Sequence, residues 1–400
     1  MDHKATGLDR RSFLKNGLKG VAGLGALSAL SAPLRASGQQ FKEPKAQDRK
    51  GGYIYRTLGK TGITLPIVSM GVMNSDNENL IRAALDGGII HLDTAHSYMR
   101  GRNEETIGRV IKDRPRDSYF IATKVPSDAE AGPFLQKVDL SLQRLGLTYV
   151  DILYLHGLGT RDAVLNETMI KTLESLKKSG KIRFAGISAH SNEHEVIRAA
   201  IESKFYDVVL AAYNFRKTNL VEFDKALIEA AKAGVGIIAM KTLAGGFWDG
   251  RQRQQPIPAK AALKWALNNP NITTAIPGMT TLDQLETNLQ VVKDVTLTDE
   301  DKKELKLIPQ EGGLYCQGCN DCLSQCPAGL PIPDLMRSYM YATGYRNYGE
   351  AYDLVSSLGV SSSPCSGCGT CAVQCRMGFD VKGRATAAAS LQNSPAELFI

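Results

Sequence analysis

The sequence has no cysteine outside residues 316–375 and no strong excess of charge of either sign. Its formal net charge is +7, and residues 1–38 hold +4 of this excess, because they contain six Lys or Arg and two Asp or Glu. No stretch combines basic with aromatic residues. We therefore expect no nucleic acid among the partners.

The N-terminal apolar run, residues 20–32, is too short for an ordinary transmembrane helix, and no cysteine follows it that could carry a lipid. Residues 9–15 precede the run and read DRRSFLK. This arrangement resembles the twin-arginine export signal; the alternative is an amphipathic or disordered N-terminus. The resemblance implies a signal peptide over residues 1–38, the twin-arginine translocase as a partner, and a periplasmic or otherwise exported location.

All 8 cysteines fall into two runs with the spacing C-x2-C-x2-C-x3-C. The runs consist of Cys316, Cys319, Cys322 and Cys326, and of Cys365, Cys368, Cys371 and Cys375. They resemble the runs of bacterial ferredoxins, whose thiolates hold [4Fe–4S] clusters. The alternatives are disulfides or a structural zinc site, although zinc usually takes two short cysteine pairs and a long spacer.

The ferredoxin pattern implies two [4Fe–4S] clusters, because the fourth cysteine of each run ligates the cluster of the other run. The implied ligand sets are Cys316, Cys319, Cys322 and Cys375 for the first cluster, and Cys365, Cys368, Cys371 and Cys326 for the second. The second run departs from the pattern, since Arg376 stands where the first run has Pro327. We expect a ferredoxin-like domain over residues 310–384, mainly helical, with helices over 334–341 and 349–358.

Residues 51–309 have the length of one large domain, in which short apolar strands alternate with helical patterns. After an opening hairpin, strands are predicted over 67–70, 89–93, 119–123, 150–155, 184–188, 208–212, 236–240 and 274–276. Thr298, before an acidic turn, is the predicted N-cap of the last helix. The predicted fold class is α/β, a (β/α)8 TIM barrel with its chemistry at the carboxyl ends of the strands.

Four polar residues lie at or just beyond the ends of consecutive predicted strands, namely Asp93, Tyr98, Lys124 and His156. Residues 92–108 read LDTAHSYMRGRNEETIG. This stretch resembles the signature of the aldo/keto reductase family, and the catalytic tetrad of that family maps onto the same four residues. Each of them alone is compatible with a structural role, but all four at corresponding strand ends favour an active site.

The resemblance implies that a small-molecule carbonyl or alcohol is the substrate. Tyr98 would donate a proton to the carbonyl oxygen as hydride arrives, and its tyrosinate would act as the base in the oxidative direction. Lys124 is expected to lower the pKa of Tyr98 from about 10, and Asp93 to hold Lys124 in place. His156 would orient the substrate oxygen.

The nicotinamide-binding pattern of the family is kept only in part, which makes NAD(P) a candidate cofactor without a clear preference. The positions that align with cofactor contacts are Ser188, Met240, Pro277 and Asn288. The residues that differ from the family are Ala189, Leu210, Met240, Gly278 and Gln284. Because Gly278 and Gln284 stand where the family often has lysine and arginine, strong NADP(H) preference is not expected. Backbone donors at a helix N-terminus still offer a phosphate site.

Three hypotheses follow. The first is an exported oxidoreductase for a carbonyl or alcohol, such as a sugar, whose clusters relay electrons to a redox partner protein. The second is an NAD(P)H-dependent reductase with structural clusters, and the third is a non-catalytic electron carrier or binding module. The first faces the obstacle that hydride transfer moves two electrons while a cluster passes one, and the sequence shows no flavin motif. The second faces the lack of a recycled NADPH pool in the periplasm.

Overall fold

The computed structural model describes residues 51–128, 130–244, 258–306 and 315–399. The predicted signal peptide lies outside these residues. None of the helices within the described ranges is both long and apolar enough to cross a lipid bilayer.

An N-terminal hairpin closes the bottom of the barrel. Strand β1 (Tyr55–Thr57) pairs antiparallel with β2 (Thr64–Pro66) across a 3₁₀ turn (Gly59–Thr61). Gly59 lies against the backbone of Gly234 and Gly236, and the Lys60 N–H donates to the Gly234 carbonyl at 2.8 Å. A Cβ at Gly59 would lie 2.4 Å from that carbonyl oxygen, so glycine is required there.

Eight parallel strands follow in sequence order around the barrel. They are β3 (Met70–Gly71), β4 (His91–Asp93), β5 (Phe120–Pro126), β6 (Val150–His156), β7 (Ile182–Ala189), β8 (Val208–Ala212), β9 (Gly236–Met240) and β10 (Thr274–Ala275). Bridges from Val68 to Ala275 and from Gly71 to Gly278 join the first strand to the last. The predicted (β/α)8 barrel is confirmed.

Helices cover the outside of the barrel. They are α1 (Glu78–Asp86), α2 (Arg102–Ile111), α3 (Ala131–Leu145), α4 (Arg161–Val164), α5 (Glu167–Lys178), α6 (Glu193–Ser203), α7 (Leu220–Ala233), α8 (Ala259–Asn268), α9 (Leu282–Val291) and α10 (Asp299–Lys306). The predicted N-cap of α10 is confirmed, because Thr298 Oγ1 accepts from the Asp301 N–H at 3.1 Å while Asp301 Oδ2 accepts from the Thr298 N–H at 2.9 Å.

The strands are buried on both faces, and alternate residues enter two different cores. Along β6, Ile152 and Tyr154 join the cluster inside the barrel, whereas Leu153 and Leu155 join the cluster between strands and helices. The same alternation holds along β5, β7 and β9. This alternation of side chains determines which residues at the strand ends face the barrel mouth.

The C-terminal domain is mainly helical. It contains α11 (Ile332–Tyr339), a π-helical turn (Met340–Gly344), α12 (Tyr348–Ser357) and α13 (Val381–Ala389). Leu335, Val355, Ala385 and Ala389 form the core between the three helices. The first predicted helix differs from the observed one, because it changes to π-helical geometry after Tyr339, where the Tyr345 N–H bonds to the Met340 carbonyl at 3.1 Å.

Candidate active site

Strand alternation turns three of the predicted catalytic side chains toward the barrel mouth. Phe120 and Ala122 of β5 face the inside of the barrel, so Lys124 follows on the same face. In β6 the inward residues Ile152 and Tyr154 are followed by His156. Asp93 ends the neighbouring strand β4, which pairs with β5. The fold therefore brings these side chains together from three adjacent strands.

Lys124 and Asp93 form a buried ion pair. The Lys124 ammonium donates to Asp93 Oδ1 and to the Thr94 carbonyl, the latter at 2.6 Å. Their side chains are only 1% and 2% exposed. Burial raises the pKa of Asp93, and Lys124 opposes that rise. The pair fixes both groups at the base of the site.

Replacing Lys124 with methionine is expected to lower the free energy of unfolding by about 3–5 kcal/mol, because it leaves the Asp93 charge buried without its partner. Lys137→Met removes a more exposed pair with Asp128 and serves as the control, with an expected loss below about 1 kcal/mol. Urea titration of the anaerobic protein measures both values. Equal losses for the two variants would contradict the structural role of the buried pair.

Tyr98 is presented by a strained turn after β4. The turn spans Tyr98–Gly101, and Met99, Arg100 and Gly101 have positive φ values of 51°, 54° and 94°. A Cβ at Gly101 would lie 2.1 Å from the Arg144 guanidinium, so this position needs glycine. Left-handed backbone at Met99 and Arg100 costs about 1–3 kcal/mol for each residue. Such strain persists only where surrounding contacts hold it.

The Tyr98 ring contacts two of the other three predicted members of the site. Its centroid lies 4.9 Å from the Lys124 ammonium and 6.0 Å from the His156 ring centroid, in an edge-on arrangement of 79°. All four predicted catalytic residues are therefore brought into one cluster, which also includes the Lys124–Asp93 pair.

The expectation that Lys124 lowers the pKa of Tyr98 is wrong for this structure. Burial raises the pKa of Tyr98 well above its ordinary value, and Asp93, Tyr341 and Glu350 act in the same direction. The reason is that the Lys124 ammonium is bonded to Asp93 and to a carbonyl, so Asp93 offsets its charge. A raised pKa keeps the proton on the phenol but makes Tyr98 a weaker acid, so proton transfer depends on the charge that develops on the substrate oxygen.

His156 and His190 form a pair of rings at the ends of β6 and β7. Their centroids are 6.3 Å apart. Burial lowers the pKa of His156 to about 3, and Lys124 adds to this effect. Burial also lowers the pKa of His190 well below its usual range. Both imidazoles are therefore neutral at neutral pH. Sequence reasoning missed His190, although its position directly after β7 is the signal that could have found it.

A cavity of about 670 Å³ lies above the tetrad. Asp93, Tyr98 and Lys124 line its base, and it extends along the ends of β9 and β10 toward the start of α9. His156 packs against Tyr98 and is not among the described residues that line this cavity. The C-terminal domain supplies the opposite wall, which consists of Tyr341, Gly344, Tyr345 and Arg346.

Helix α12 of the C-terminal domain docks against the turn that presents Tyr98. Ser97 Oγ lies 3.5 Å from Glu350 Oε1, and Arg100 pairs with Asp353 at 3.4 Å. Arg100 also donates to the Ala396 carbonyl at 3.1 Å. These contacts hold the strained backbone around Tyr98, so the C-terminal domain helps to position the candidate acid.

The loop of the first cysteine run docks on the end of β7. Gly318, with φ of 68°, lies so close to the barrel that a Cβ there would be 2.6 Å from the His190 carbonyl oxygen. The Asn320 amide donates to Asn192 Oδ1 at 2.9 Å. Lys217 donates to the Gln317 carbonyl at 2.7 Å. The first cysteine run thus lies beside the pair of histidines.

All eight cysteines are free and partly buried, so the disulfide alternative is not realised. Burial is the first cause that raises the pKa of Cys316, Cys322 and Cys365. The charges of neighbouring cysteines also raise these three pKa values, and these neighbours divide the eight thiols into two groups. The groups are Cys316 with Cys319, Cys322 and Cys375, and Cys365 with Cys368, Cys371 and Cys326. The structure therefore brings together the thiols of each implied ligand set.

The surroundings of the first group fit a cluster. The Gly318 N–H donates to Cys316 Sγ at 3.3 Å, the kind of bond that stabilises a ligating sulfur. An apolar shell packs against Cys316, Cys322 and Cys375 of this group and against Cys326 of the other group. It is formed by Ile332, Met336, Met377, Phe379 and Val381. No three His, Cys, Asp or Glu side chains of the described ranges form a site for a single metal ion. This result does not speak against a [4Fe–4S] cluster, because the four thiolates of a cluster bind four different iron atoms and lie further apart than the ligands of one ion.

The described geometry agrees with two family models. The model of the aldo/keto reductase family matches residues 64–261 and 256–308, and the model of the 4Fe-4S dicluster domain matches residues 315–379. The chain belongs to the aldo/keto reductase family. It is an oxidoreductase of the aldo/keto reductase type with a C-terminal 4Fe-4S dicluster domain.

Relatives within the family resemble the barrel. The chain is 27% identical to L-glyceraldehyde 3-phosphate reductase of Escherichia coli O157:H7, a match that covers 64% of this chain and 93% of the relative. It is 28% identical to L-galactose dehydrogenase of Arabidopsis thaliana, covering 62% and 91%. Among solved structures, an aldo-keto reductase from Bacillus halodurans in its holo form is 26% identical with a TM-score of 0.52, covering 64% of this chain and 95% of that one.

The positions aligned with nicotinamide contacts of aldo/keto reductases fit a dinucleotide in part. Met240 and Pro277 line the cavity, and Asn288 is buried with an amide nitrogen that has no hydrogen-bond partner among the described residues. Ser188 is less available, because its Oγ already accepts from the Gly157 N–H at 2.9 Å. Ala189 faces the outer core of the barrel. The cavity therefore has room for a cofactor, while the unused amide of Asn288 lies in α9, just outside the residues that line the cavity.

The loop before α9 offers backbone donors for a phosphate but little positive charge. Thr281 caps α9 by accepting from the Gln284 N–H, and Gln284 Oε1 accepts from the Thr280 N–H at 2.7 Å. Asp283 and Gly278 also line the cavity there. Because Gln284 is used within its loop and Asp283 is acidic, this end of the cavity fits NAD better than NADP.

Proposed function

We propose that this chain is an exported oxidoreductase that interconverts a carbonyl and an alcohol, with electrons passing through two [4Fe–4S] clusters to a redox partner protein. Residues 1–38 would direct it to the twin-arginine translocase. The observation that carries the proposal is the docking of the dicluster domain. This domain closes the cavity above Tyr98 and places the Cys316 loop on His190, beside His156.

The proposed chemistry follows from the side chains of the barrel. In reduction, the carbonyl carbon receives a hydride and the oxygen takes the Tyr98 proton, so that an alcohol and a tyrosinate form. In oxidation, Tyr98 has to lose its proton first, which its raised pKa disfavours, and the tyrosinate then takes the hydroxyl proton as the hydride leaves. The neutral His156 packs on the Tyr98 ring and helps to position it, and the Lys124–Asp93 pair fixes the floor of the site.

The eight cysteines would hold the two clusters, which supply one-electron steps when they are bound. Hydride transfer moves two electrons together. The proposal therefore requires a mediator that would take the two electrons of a hydride and pass them on singly, as a flavin bound in the cavity would, although the sequence shows no flavin motif. The cavity of about 670 Å³ extends well beyond the tetrad and has room for such a group beside a small substrate.

A sugar or a sugar-derived alcohol is the proposed substrate class. Two relatives are named for the reduction of L-glyceraldehyde 3-phosphate and the oxidation of L-galactose, which supports this choice. Polar and aromatic side chains suited to such a substrate line the cavity, among them Asn74, Thr242, Tyr341 and Tyr345.

Anaerobic purification followed by addition of candidate sugars tests the proposal. Iron, flavin and NAD(P) are assayed in the purified protein, and the visible absorbance of the clusters is followed after mixing. We expect the absorbance to bleach when substrate is added without NAD(P)H. An unchanged spectrum together with NAD(P)H consumption would reject the relay.

The second candidate function is an NAD(H)-dependent reductase whose clusters are structural. The unused amide of buried Asn288 favours it, because Asn288 belongs to α9, the helix whose first residues line the end of the cavity. In this case the cavity binds a dinucleotide, and the dicluster domain acts only through its contacts with Ser97 and Arg100.

Gly278→Lys tests whether a dinucleotide occupies this part of the cavity. Apart from its chain neighbours, a Cβ at Gly278 has one heavy atom within 4 Å, the Gly71 carbonyl oxygen at 4.0 Å, so a side chain can start there without a clash. The added charge is expected to raise NADP⁺ affinity about tenfold or more and to leave NAD⁺ affinity unchanged. Gly278→Gln is the neutral control, and both affinities are measured by calorimetry. NADP⁺ binding that does not respond to the lysine would place the 2′-phosphate elsewhere.

A further inference from the structure

Lys241 follows β9 and lies between the substrate cavity and the first cysteine run. It lines the cavity of about 670 Å³ above the tetrad. Together with His190, it also lines a second cavity of about 20 Å³, which reaches Cys316 and Arg337. Its side chain therefore faces internal space on two sides.

The Lys241 ammonium has no hydrogen bond or ion pair with the residues that the structure describes. Its recorded contact is the Tyr341 ring, whose centroid lies 5.6 Å from Nζ. Lys241 itself is half-buried. Three lysines are more deeply buried, and each has one carboxylate and one carbonyl partner. These are Lys124 with Asp93 and Thr94, Lys217 with Glu193 and Gln317, and Lys264 with Asp301 and Thr296. Lys241 departs from this rule.

Two cationic side chains, Arg337 and Lys217, act on the unpaired ammonium, and two acidic groups, Cys316 and Glu193, act against them. Burial is the first cause that lowers the pKa of Lys241 to about 7, and the two cations add more to this effect than the acidic groups remove. Arg346 of the C-terminal domain lines the same large cavity. An anionic group in the cavity would compensate both the desolvation and the repulsion between these cations.

The backbone of Lys241 is also unusual, with φ of 55°. This left-handed conformation is uncommon for lysine and strains the backbone. The Asn214 amide and the Ala244 N–H both donate to the Lys241 carbonyl, at 3.2 Å and 3.0 Å, and hold the turn. Strain of this kind concentrates at ligand-binding sites.

We propose that Lys241 binds an anionic oxygen group of the substrate, so that the substrate carries a carboxylate or a phosphate in addition to its carbonyl or alcohol. This inference rests on the proposed carbonyl–alcohol reaction and names its substrate class: a sugar acid, a related hydroxy acid or a sugar phosphate. The ammonium supplies charge-assisted hydrogen bonds at the cavity wall, while Tyr98 acts on the reacting oxygen.

Binding of small ligands to the anaerobic holoprotein tests the assignment without turnover. Malonate probes the carboxylate, inorganic phosphate probes the phosphate, and propane-1,3-diol is the neutral comparison. Calorimetry is performed on the wild type, on Lys241→Met, and on the exposed control Lys225→Met. We expect Lys241→Met to weaken binding of at least one anion about 10- to 100-fold. The diol should bind all three proteins equally, and Lys225→Met should match the wild type.

Several results would overturn the assignment. The first is that all three proteins bind the anions equally well. The second is that the wild-type protein binds neither anion. The third is that the Lys241→Met variant loses affinity for NAD⁺ but keeps its affinity for malonate. Iron content and circular dichroism verify folding, and Lys241→Gln replaces the methionine variant if that one does not fold. Because no turnover is needed, failure of the proposed reaction would leave this binding test intact. Conversely, turnover of neutral sugars with no anion binding would reject Lys241 alone.

Discussion

Replacing Tyr98 with phenylalanine is expected to lower kcat by about 100- to 10,000-fold, because the variant has no proton to give to the substrate oxygen. Phenylalanine keeps the ring that contacts His156 and Lys124. The fold and the affinity for substrate are therefore expected to stay near those of the wild type. Steady-state kinetics with the best substrate of the anaerobic screen measures the effect.

Tyr154→Phe is the matched control for this experiment. Tyr154 lies inside the barrel, and its hydroxyl is buried without a hydrogen-bond partner among the described residues. Removal of that hydroxyl is expected to leave kcat unchanged. If Tyr98→Phe turned over as fast as Tyr154→Phe, another group would have to be the proton donor.

Replacing Cys316 with alanine is expected to abolish substrate-dependent electron transfer. The variant removes one thiolate from the first ligand set, so one of the two clusters is expected to be lost and the iron content to fall by half. Cys316 is the thiol that lies beside the small cavity shared with His190 and Lys241. Loss of this cluster therefore interrupts the path nearest to the substrate cavity.

Ser324→Ala provides the control, because Ser324 lies within the same run but between two cysteines. Iron analysis, visible absorbance and reduction of an artificial electron acceptor are measured for both variants. Full acceptor reduction by a Cys316→Ala protein with half the iron would show that the first cluster is not on the electron path.

Much of the barrel follows from local sequence patterns. The alternation of short apolar strands with helical patterns predicted the eight parallel strands. Side chains alternate between the two faces of β5 and β6, and Lys124 and His156 share a face with inward apolar residues, so both face the barrel mouth. The helix N-cap at Thr298 could also be predicted from the sequence, because a capping box depends only on two residues three positions apart.

The remaining features depend on contacts between distant parts of the chain. Helix α12 reaches Ser97 across 253 residues, and the Cys316 loop packs on His190. Neither contact leaves a local pattern in the sequence. The raised pKa of Tyr98 has the same origin, because it depends on burial and on Tyr341 and Glu350 from the other domain. Position in the chain alone could not reveal Lys241 as unpaired.

Electron paramagnetic resonance of the anaerobic protein after addition of substrate tests the central claim most directly, namely that the dicluster domain exchanges electrons with the barrel site. The account predicts a reduced-cluster signal that develops with substrate in the wild type, is nearly absent in Tyr98→Phe, and appears without added NAD(P)H. A wild-type protein that carries its full iron, converts substrate with NAD(P)H and never shows the signal would contradict it.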